Sequence, residues 1–360
     1  MSILTIIILT FSVIGGIDYI FGSKLGLGKE FEKGFCLFGP MALSMLGMLV
    51  LAPAFGVWLS PVFESFYNFF KIDPSVIPAS LFANDMGGTQ LAQSLCKSEA
   101  IGNYNAFIIS AMMGCTISFT IPVSMGLVKK ENHKELFFGL LCGIVTIPFG
   151  CIVSGLICKI NILSLLINLI PLVIVSTVLV LFLIFLPDFC IKCFSIFGFI
   201  IKAVAIIGLG ISVFTLLTKI TISEHFGTFQ DAAFICANAC VTLSGALPLM
   251  FVVSKILKKP LKALGSKLNI NEMSTLSFLG TMVTNVSTFG VMDKMDKKGI
   301  VLNSAFAVSA AFTFGGHLAF TMAFDKNYIV PMIIGKIVSG LCAVIMACIL
   351  YKNKASKDTE

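Results

Sequence analysis

Apolar runs of about 20 residues, each long enough to cross a hydrocarbon core as a helix, follow one another from end to end of the chain. They fall at 2–22, 35–59, 74–96, 104–128, 136–158, 162–186, 194–218, 233–257, 272–291, 300–324 and 328–351. Two of these eleven stretches break the pattern. Segment 74–96, PSVIPASLFANDMGGTQLAQSLC, carries two prolines, two adjacent glycines and Asp85, and segment 272–291 is rich in Ser, Thr and Asn. Irregular polar backbone survives at membrane depth only where it is buried in protein or lines a wet cavity. The pattern therefore predicts an all-α polytopic membrane protein with about nine transmembrane helices plus two re-entrant or broken segments.

Composition and charge sharpen that reading. Of 360 residues, 57% are hydrophobic and 12% charged, with mean hydropathy +1.01, whereas soluble domains carry about 25% charged residues. The first run, SILTIIILTFSVIGGIDYIF, has no basic n-region or small-residue cleavage site and reads as a retained span. All 25 basic residues are lysines, and they sit between the runs, which suits a cytoplasmic membrane surface rather than nucleic acid. If every run crosses, the loop lysines divide almost evenly between the two faces. If the two polar segments dip in and return, nineteen lysines at 24–33, 129–134, 192–202, 255–267, 294–298 and 352–357 share one face. Only Lys71, Lys97, Lys159, Lys219 and Lys326 then lie opposite, with Lys336 inside a span. The positive-inside rule favours this second topology, with the N-terminus outside and the C-terminus cytoplasmic.

Weak internal repeats accompany it. NAFIISAMM (105–113) resembles SAFAVSAAF (304–312), Cys36, Leu43 and Ser44 recur as Cys236, Leu243 and Ser244, and GCIVSG (150–155) returns as GKIVSG (335–340). Both halves share the order span, span, polar segment, span, span. The expected divisions are a first repeat at 1–158, a linker helix at 159–193, an inverted second repeat at 194–351 and a tail at 352–360. Inverted repeats whose interrupted segments meet near the midplane are the architecture of secondary transporters, so Asn84 and Asp85 are expected to approach Thr284 and Asn285 across one cavity.

The polar residues then suggest chemistry. A carboxylate at mid-bilayer costs about 2.5–3.5 kcal/mol on insertion scales, and a cationic ligand at Asp85 would offset it. Alternatively Asp85 caps the second half of a broken helix. Gly87 and Gly88 would let backbone approach a ligand. His317 is read either as donating to a ligand or shuttling protons, or as bonding a backbone carbonyl across helices. Ser110 and Ser309 occupy matched repeat positions and are small enough to serve helix packing as well as binding. Asp18 is placed at headgroup-level water, and Lys336 is expected to snorkel to the interface. Some of the 34 phenylalanines could face an ammonium. No HExxH, GxSxG, phosphate-binding glycine loop or acidic metal cluster occurs, so an enzyme is disfavoured and no cofactor or metal is expected. The Cys190/Cys193 CxxC has no partners nearby to complete a metal or redox site. His133 and Glu135, in KKENHKE, read as a solvated turn.

NDMGG (84–88), AMMGCTISFTIPV (111–123), GIVTIPFGCI (143–152), MDKMDKKG (292–299) and AFAVSAAFTFGGHL (305–318) resemble the ethanolamine-utilisation permease family, EutH, over nearly the whole chain and in order. The resemblance implies uptake of ethanolamine across a bacterial cytoplasmic membrane by a multi-pass protein. Two positions depart from the family pattern, Asn84 where a cysteine is expected and Gly316 where an aspartate is expected, and the second removes a carboxylate partner for His317. Asp85 would hold the ammonium, with Asn84, Asn285, Thr288 and His317 hydrogen-bonding the hydroxyl and Thr284, Ser110 and Ser309 nearby. The alternative is a non-concentrating amine or ammonia facilitator or channel. Beyond ethanolamine and the lipid bilayer no partner is implied. Coupling to protons or sodium, and assembly as a homo-oligomer, stay open at this level.

Overall fold

The computed structural model describes residues 3–357. The last three residues of the expected tail, and Met1 and Ser2 at the start of the first expected repeat, lie outside the described residues. The described chain is helical and contains no strand. Helices α1 (Ile3–Ile20), α2 (Leu27–Phe70), α5 (Glu99–Leu127), α6 (Lys130–Ile157), α7 (Ile162–Phe185), α8 (Pro187–Thr218), α9 (Phe229–Leu268) and α14 (Lys326–Tyr351) are eight candidate spans, each long and apolar enough to cross a membrane. Between them lie the broken elements α3 (Val76–Leu81) and α4 (Gly88–Leu95), then α10 (Glu272–Val283) and α11 (Asn285–Phe289). Both segments read as interrupted from their polarity are therefore interrupted.

One expected span differs. The run 300–324 is not continuous but splits into α12 (Lys297–Ala310) and α13 (Gly316–Phe324), parted by an unwound stretch at 311–315. Its hydropathy gave no warning, because the break occurs within apolar sequence. The Gly315–Gly316 pair is the local signal that marks it.

Burial follows the logic of a membrane solvent. Residues 104–118 of α5 are buried at every position, as expected of a helix apolar on all sides at the centre of a bundle. By contrast α7 and α8 expose large side chains such as Ile174, Phe185, Phe199 and Leu217, as lipid-facing helices do. Through Asn105–Gly114 and again through Thr116–Thr120, α5 is wound as a π-helix, a winding often found at functional sites.

Two glycine-based helix contacts set the rotation of the inner helices. A Cβ on Gly139 or Gly143 of α6 would overlap α12 at the Val301 carbonyl or the Val308 side chain. Against α14 the contact of α6 is antiparallel and reciprocal. A Cβ on Gly150 would overlap the Gly335 carbonyl, and one on Gly335 would overlap the Ser154 hydroxyl. Ser154 donates to the Pro331 carbonyl (2.8 Å) and Ser339 to the Thr146 carbonyl (3.1 Å). Exchanging the two glycines maps one bond onto the other. Small residues allow this close approach, and hydroxyl–carbonyl bonds hold it in the absence of a hydrophobic drive between helices in lipid.

Candidate functional site

The site is built from helix interruptions that converge on α5. In the first, Phe82 is extended (φ −116°, ψ 136°) and Gly87 is left-handed (φ 92°). Between them Asn84–Met86 form one 3-10 turn, closed by bonds from Met86 and Gly88 N–H to the Ala83 carbonyl (3.0 and 2.9 Å). Gly87 is required by its φ, and Gly88 because a Cβ there would overlap the Phe82 carbonyl. The turn is pinned to α5 by the Ala83 N–H, which donates to Ser118 Oγ (3.1 Å). No side chain caps α4, so Asp85 does not serve as its N-cap.

In the second interruption Thr284 is extended (φ −158°, ψ 132°) and its hydroxyl accepts from Val286 N–H (3.4 Å). Asn285 is fully buried and donates through Nδ2 to Thr120 Oγ1 on α5 (3.0 Å). The two interruptions thus reach α5 two residues apart, at Ser118 and Thr120. Thr288 donates to the Ser277 carbonyl (3.1 Å) and accepts from Thr281 (2.7 Å), so its hydroxyl is occupied within its own hairpin.

The third interruption, at 311–315, lies beside the end of α10. Phe312 N–H donates to the Thr281 carbonyl (3.1 Å) and Phe314 N–H to the Met282 carbonyl (2.8 Å). Phe312 is held at φ 62°, a conformation that a bulky residue keeps only when its surroundings over-determine it. Its ring packs on Phe119 (centroids 5.4 Å) and on the His317 imidazole (5.1 Å).

His317 opens α13 facing the first interruption. Its Nε2 lies 3.9 Å from Asp85 Oδ1, beyond hydrogen-bond length but within ion-pair range, and its Nδ1 lies 3.1 Å from Lys336 Nζ. Lys336 also donates to the Ala111 carbonyl in the π-helical part of α5 (2.5 Å). An ammonium can only donate, so with Lys336 charged the imidazole accepts at Nδ1 and turns its Nε2–H toward Asp85. The Asp85 side chain keeps 27% of its surface accessible, whereas His317 and Lys336 are about 1% exposed. Cys115, whose sulfur is 3.9 Å from Thr120 Oγ1, lies within electrostatic range of both Asp85 and Lys336.

Lys336 therefore does not snorkel. The Gly150–Gly335 contact fixes the rotation of α14, and the residue after Gly335 is turned inward, where a carbonyl, an imidazole and a nearby carboxylate replace headgroup water. Sequence reasoning also misplaced Asp18 at headgroup-level water. It is 5% exposed and accepts from Leu25 N–H (2.9 Å) and Gly28 N–H (2.8 Å), tying α1 to α2.

Other expected residues fall outside this cluster. Ser110 bonds the Ala106 carbonyl of its own helix, and Ser309 accepts from Ser339 (2.6 Å) at the α12–α14 contact. Among the described residues six buried side chains keep atoms without a protein partner: both amide atoms of Asn84 and Gln90, Asn285 Oδ1, Thr321 Oγ1 and, at Ser80 Oγ and Asn303 Oδ1, two more. Thr321 sits one turn beyond His317 on the same face of α13, and Gln90 lies on the helix that follows Asp85. A buried polar atom left unpaired costs about 1–3 kcal/mol, and several together are what a polar ligand would satisfy.

Away from the membrane segments, KKENHKE is less free than a solvated turn. Lys297 meets Glu135 (3.4 Å) and donates to Asn132 Oδ1 (2.9 Å), and Lys129 meets Asp293 (3.0 Å). The hydrogen bond from Lys129 holds the Asp293 carboxyl below its ordinary range. Together these pairs staple the start of α6 and the residue just before it to the start of α12 and the loop before it. No group of three or more His, Cys, Asp or Glu side chains suited to a metal occurs among the described residues.

A family model described as "Ethanolamine utilisation protein, EutH" matches residues 1–350. The chain is 40% identical to the "Probable ethanolamine permease EutH" of Listeria monocytogenes, over 99% of this chain and 97% of that protein. It is 34% identical to the protein of the same name from Escherichia coli K12, over 94% and 90% respectively. It is also 34% identical to the "Uncharacterized protein YxeR" of Bacillus subtilis, over 98% and 96%. No solved structure matches the chain.

Proposed function

We propose, from the premise that this chain belongs to the ethanolamine utilisation protein EutH family, that it is a carrier that imports ethanolamine in its protonated form. The observation that carries this reading is the place of Asp85. It is an accessible carboxylate in the turn of the first interruption, facing His317 just after the third, beside an asparagine whose amide has no partner. Asp85 accepts from the ammonium, and Asn84, Asn285 Oδ1, Thr321 and the His317 ring offer hydrogen bonds to the hydroxyl. A site that matches both ends of the ligand rejects a simple alkylamine, because the alkylamine leaves buried polar atoms unpaired.

The broken helices supply the means of transport. Each interruption puts irregular backbone where two packed halves can rock about it. The antiparallel, reciprocal contact of GCIVSG on α6 with GKIVSG on α14 supports two inverted repeats that share such a pivot. Alternating access, with the lysine-rich face in the cytoplasm, follows from that arrangement. An open channel fits less well, since Phe312, His317 and Lys336 pack closely where a continuous lining would have to pass.

The test is uptake of labelled ethanolamine into proteoliposomes by wild type and Asp85→Asn. Loss of one charge-assisted hydrogen bond, about 1.5–3 kcal/mol, weakens apparent affinity about 10- to 150-fold. Unchanged uptake by a folded Asp85→Asn protein removes Asp85 from the site.

A further inference from the structure

The exchange that relates the two sides of the α6–α14 contact matches Gly150 to Gly335 and Ser154 to Ser339, so the residue matched to Lys336 is Cys151. Cys151 is wholly buried and carries a free thiol. Packing at this position is therefore met by a small neutral side chain, and the buried ammonium of Lys336 has another reason to be there. It faces a short series of groups: the Ala111 carbonyl, the His317 ring and, beyond it, Asp85. The thiols of Cys115 on α5 and Cys151 on α6 also lie within its electrostatic range.

We propose that Lys336 is a tethered counter-ion to Asp85 and releases one proton when the ammonium of the substrate binds, so that uptake exchanges one organic cation for one proton. This rests on the reading of Asp85 as the ammonium site. Without ligand, one carboxylate and one ammonium balance within a region shielded from water. A second cation at Asp85 leaves an uncompensated positive charge in a medium of low dielectric, where like charges repel strongly. Of the two cations, Lys336 has a path for its proton.

The path is the imidazole. Lys336 passes a proton from Nζ to His317 Nδ1, while His317 gives its Nε2 proton to water on the accessible side near Asp85. The products are a neutral amine, a neutral imidazole carrying its hydrogen on Nδ1, and one released proton. The 3.1 Å contact persists with its direction reversed, since Nδ1–H now donates to the amine. Nε2 has become an acceptor facing the substrate, so the proton leaves and the ring gains a hydrogen bond to the ligand in the same event. Release of the substrate inside and re-protonation by the reverse route reset the carrier.

Two measurements test this. In weakly buffered detergent solution with a pH-indicating dye, ethanolamine is mixed with purified protein at acidic pH, and binding is followed in parallel by calorimetry. The expected result is close to one proton released per ethanolamine bound. Binding without proton release overturns the proposal and leaves the ethanolamine site standing, whereas no binding at all overturns both. In proteoliposomes with a clamped membrane potential, wild-type uptake is expected to be indifferent to an inside-negative potential. Lys336→Met, which has no proton to give, is expected to bind without proton release and to take up ethanolamine faster as the inside becomes more negative. Potential-driven uptake by wild type overturns the exchange even if the variant fails to fold.

Discussion

Charge balance between Asp85 and Lys336 predicts strong non-additivity in stability. Asp85→Asn leaves a buried ammonium with only neutral acceptors, Lys336→Met leaves a carboxylate without its cation, and the double variant leaves neither charge. The contacts of 3.9 and 3.1 Å, with the width of the imidazole between them, limit the charge separation to about 9 Å, which at an effective dielectric of 20 gives about 2 kcal/mol of attraction. The double variant should therefore be about 2 kcal/mol more stable than the sum of the two single losses predicts. Unfolding titrations of all four proteins in one detergent–SDS system would give the cycle. Effects that add to within about 0.5 kcal/mol would show that the two charges do not sense one another, and the counter-ion assignment would be withdrawn.

Three further outcomes follow from particular contacts. Asn84→Ala, which deletes an amide without partners, should leave stability almost unchanged while weakening ethanolamine about 5-fold relative to ethylamine in competition assays, since a single hydrogen bond is worth about 1 kcal/mol. Gly315→Ala places a Cβ on the Val283 carbonyl and should lower the melting temperature in detergent far more than Gly316→Ala, whose Cβ would lie 3.3 Å from Asp85 Oδ2. Equal melting temperatures for the two would contradict the close contact between 311–315 and α10. The Asp293 carboxyl is held below its ordinary value, so its staple to Lys129 is fully present above the unfolded pKa of about 3.9 and is lost as pH falls through the lower folded value. Hydrogen exchange in 128–135 should then be insensitive to pH, after correction for intrinsic rates, until the solution is more acidic than about pH 4.

Much was legible in the chain because it depends on local chemistry. A proline, a glycine pair or a cluster of hydroxyls changes the conformational preference of its own segment, so 74–96 and 272–291 announce their interruptions wherever they end up. The hydropathy of the long runs likewise determines that most of the chain belongs in lipid, whatever its neighbours. Asp85 was recognisable as exceptional for the same reason, since a carboxylate in that environment is costly without a partner. Direction was not legible. Lys336 was expected at the interface because depth along a helix can be counted, whereas the facing of a helix is set by its partner, here through the contact of Gly335 with Gly150 far back in the chain. The same limit hid the roles of Ser309 and Thr288, whose hydroxyls meet groups that only folding brings within reach. It also hid the third interruption, where the positive φ of Phe312 is sustained by the Thr281 and Met282 carbonyls of another helix. The sequence by itself determined that the chain crosses a membrane and where two of its three breaks fall. The tertiary structure alone decided which faces turn inward and so joined Asp85, His317 and Lys336, because helix rotation is set by contacts between segments distant in sequence.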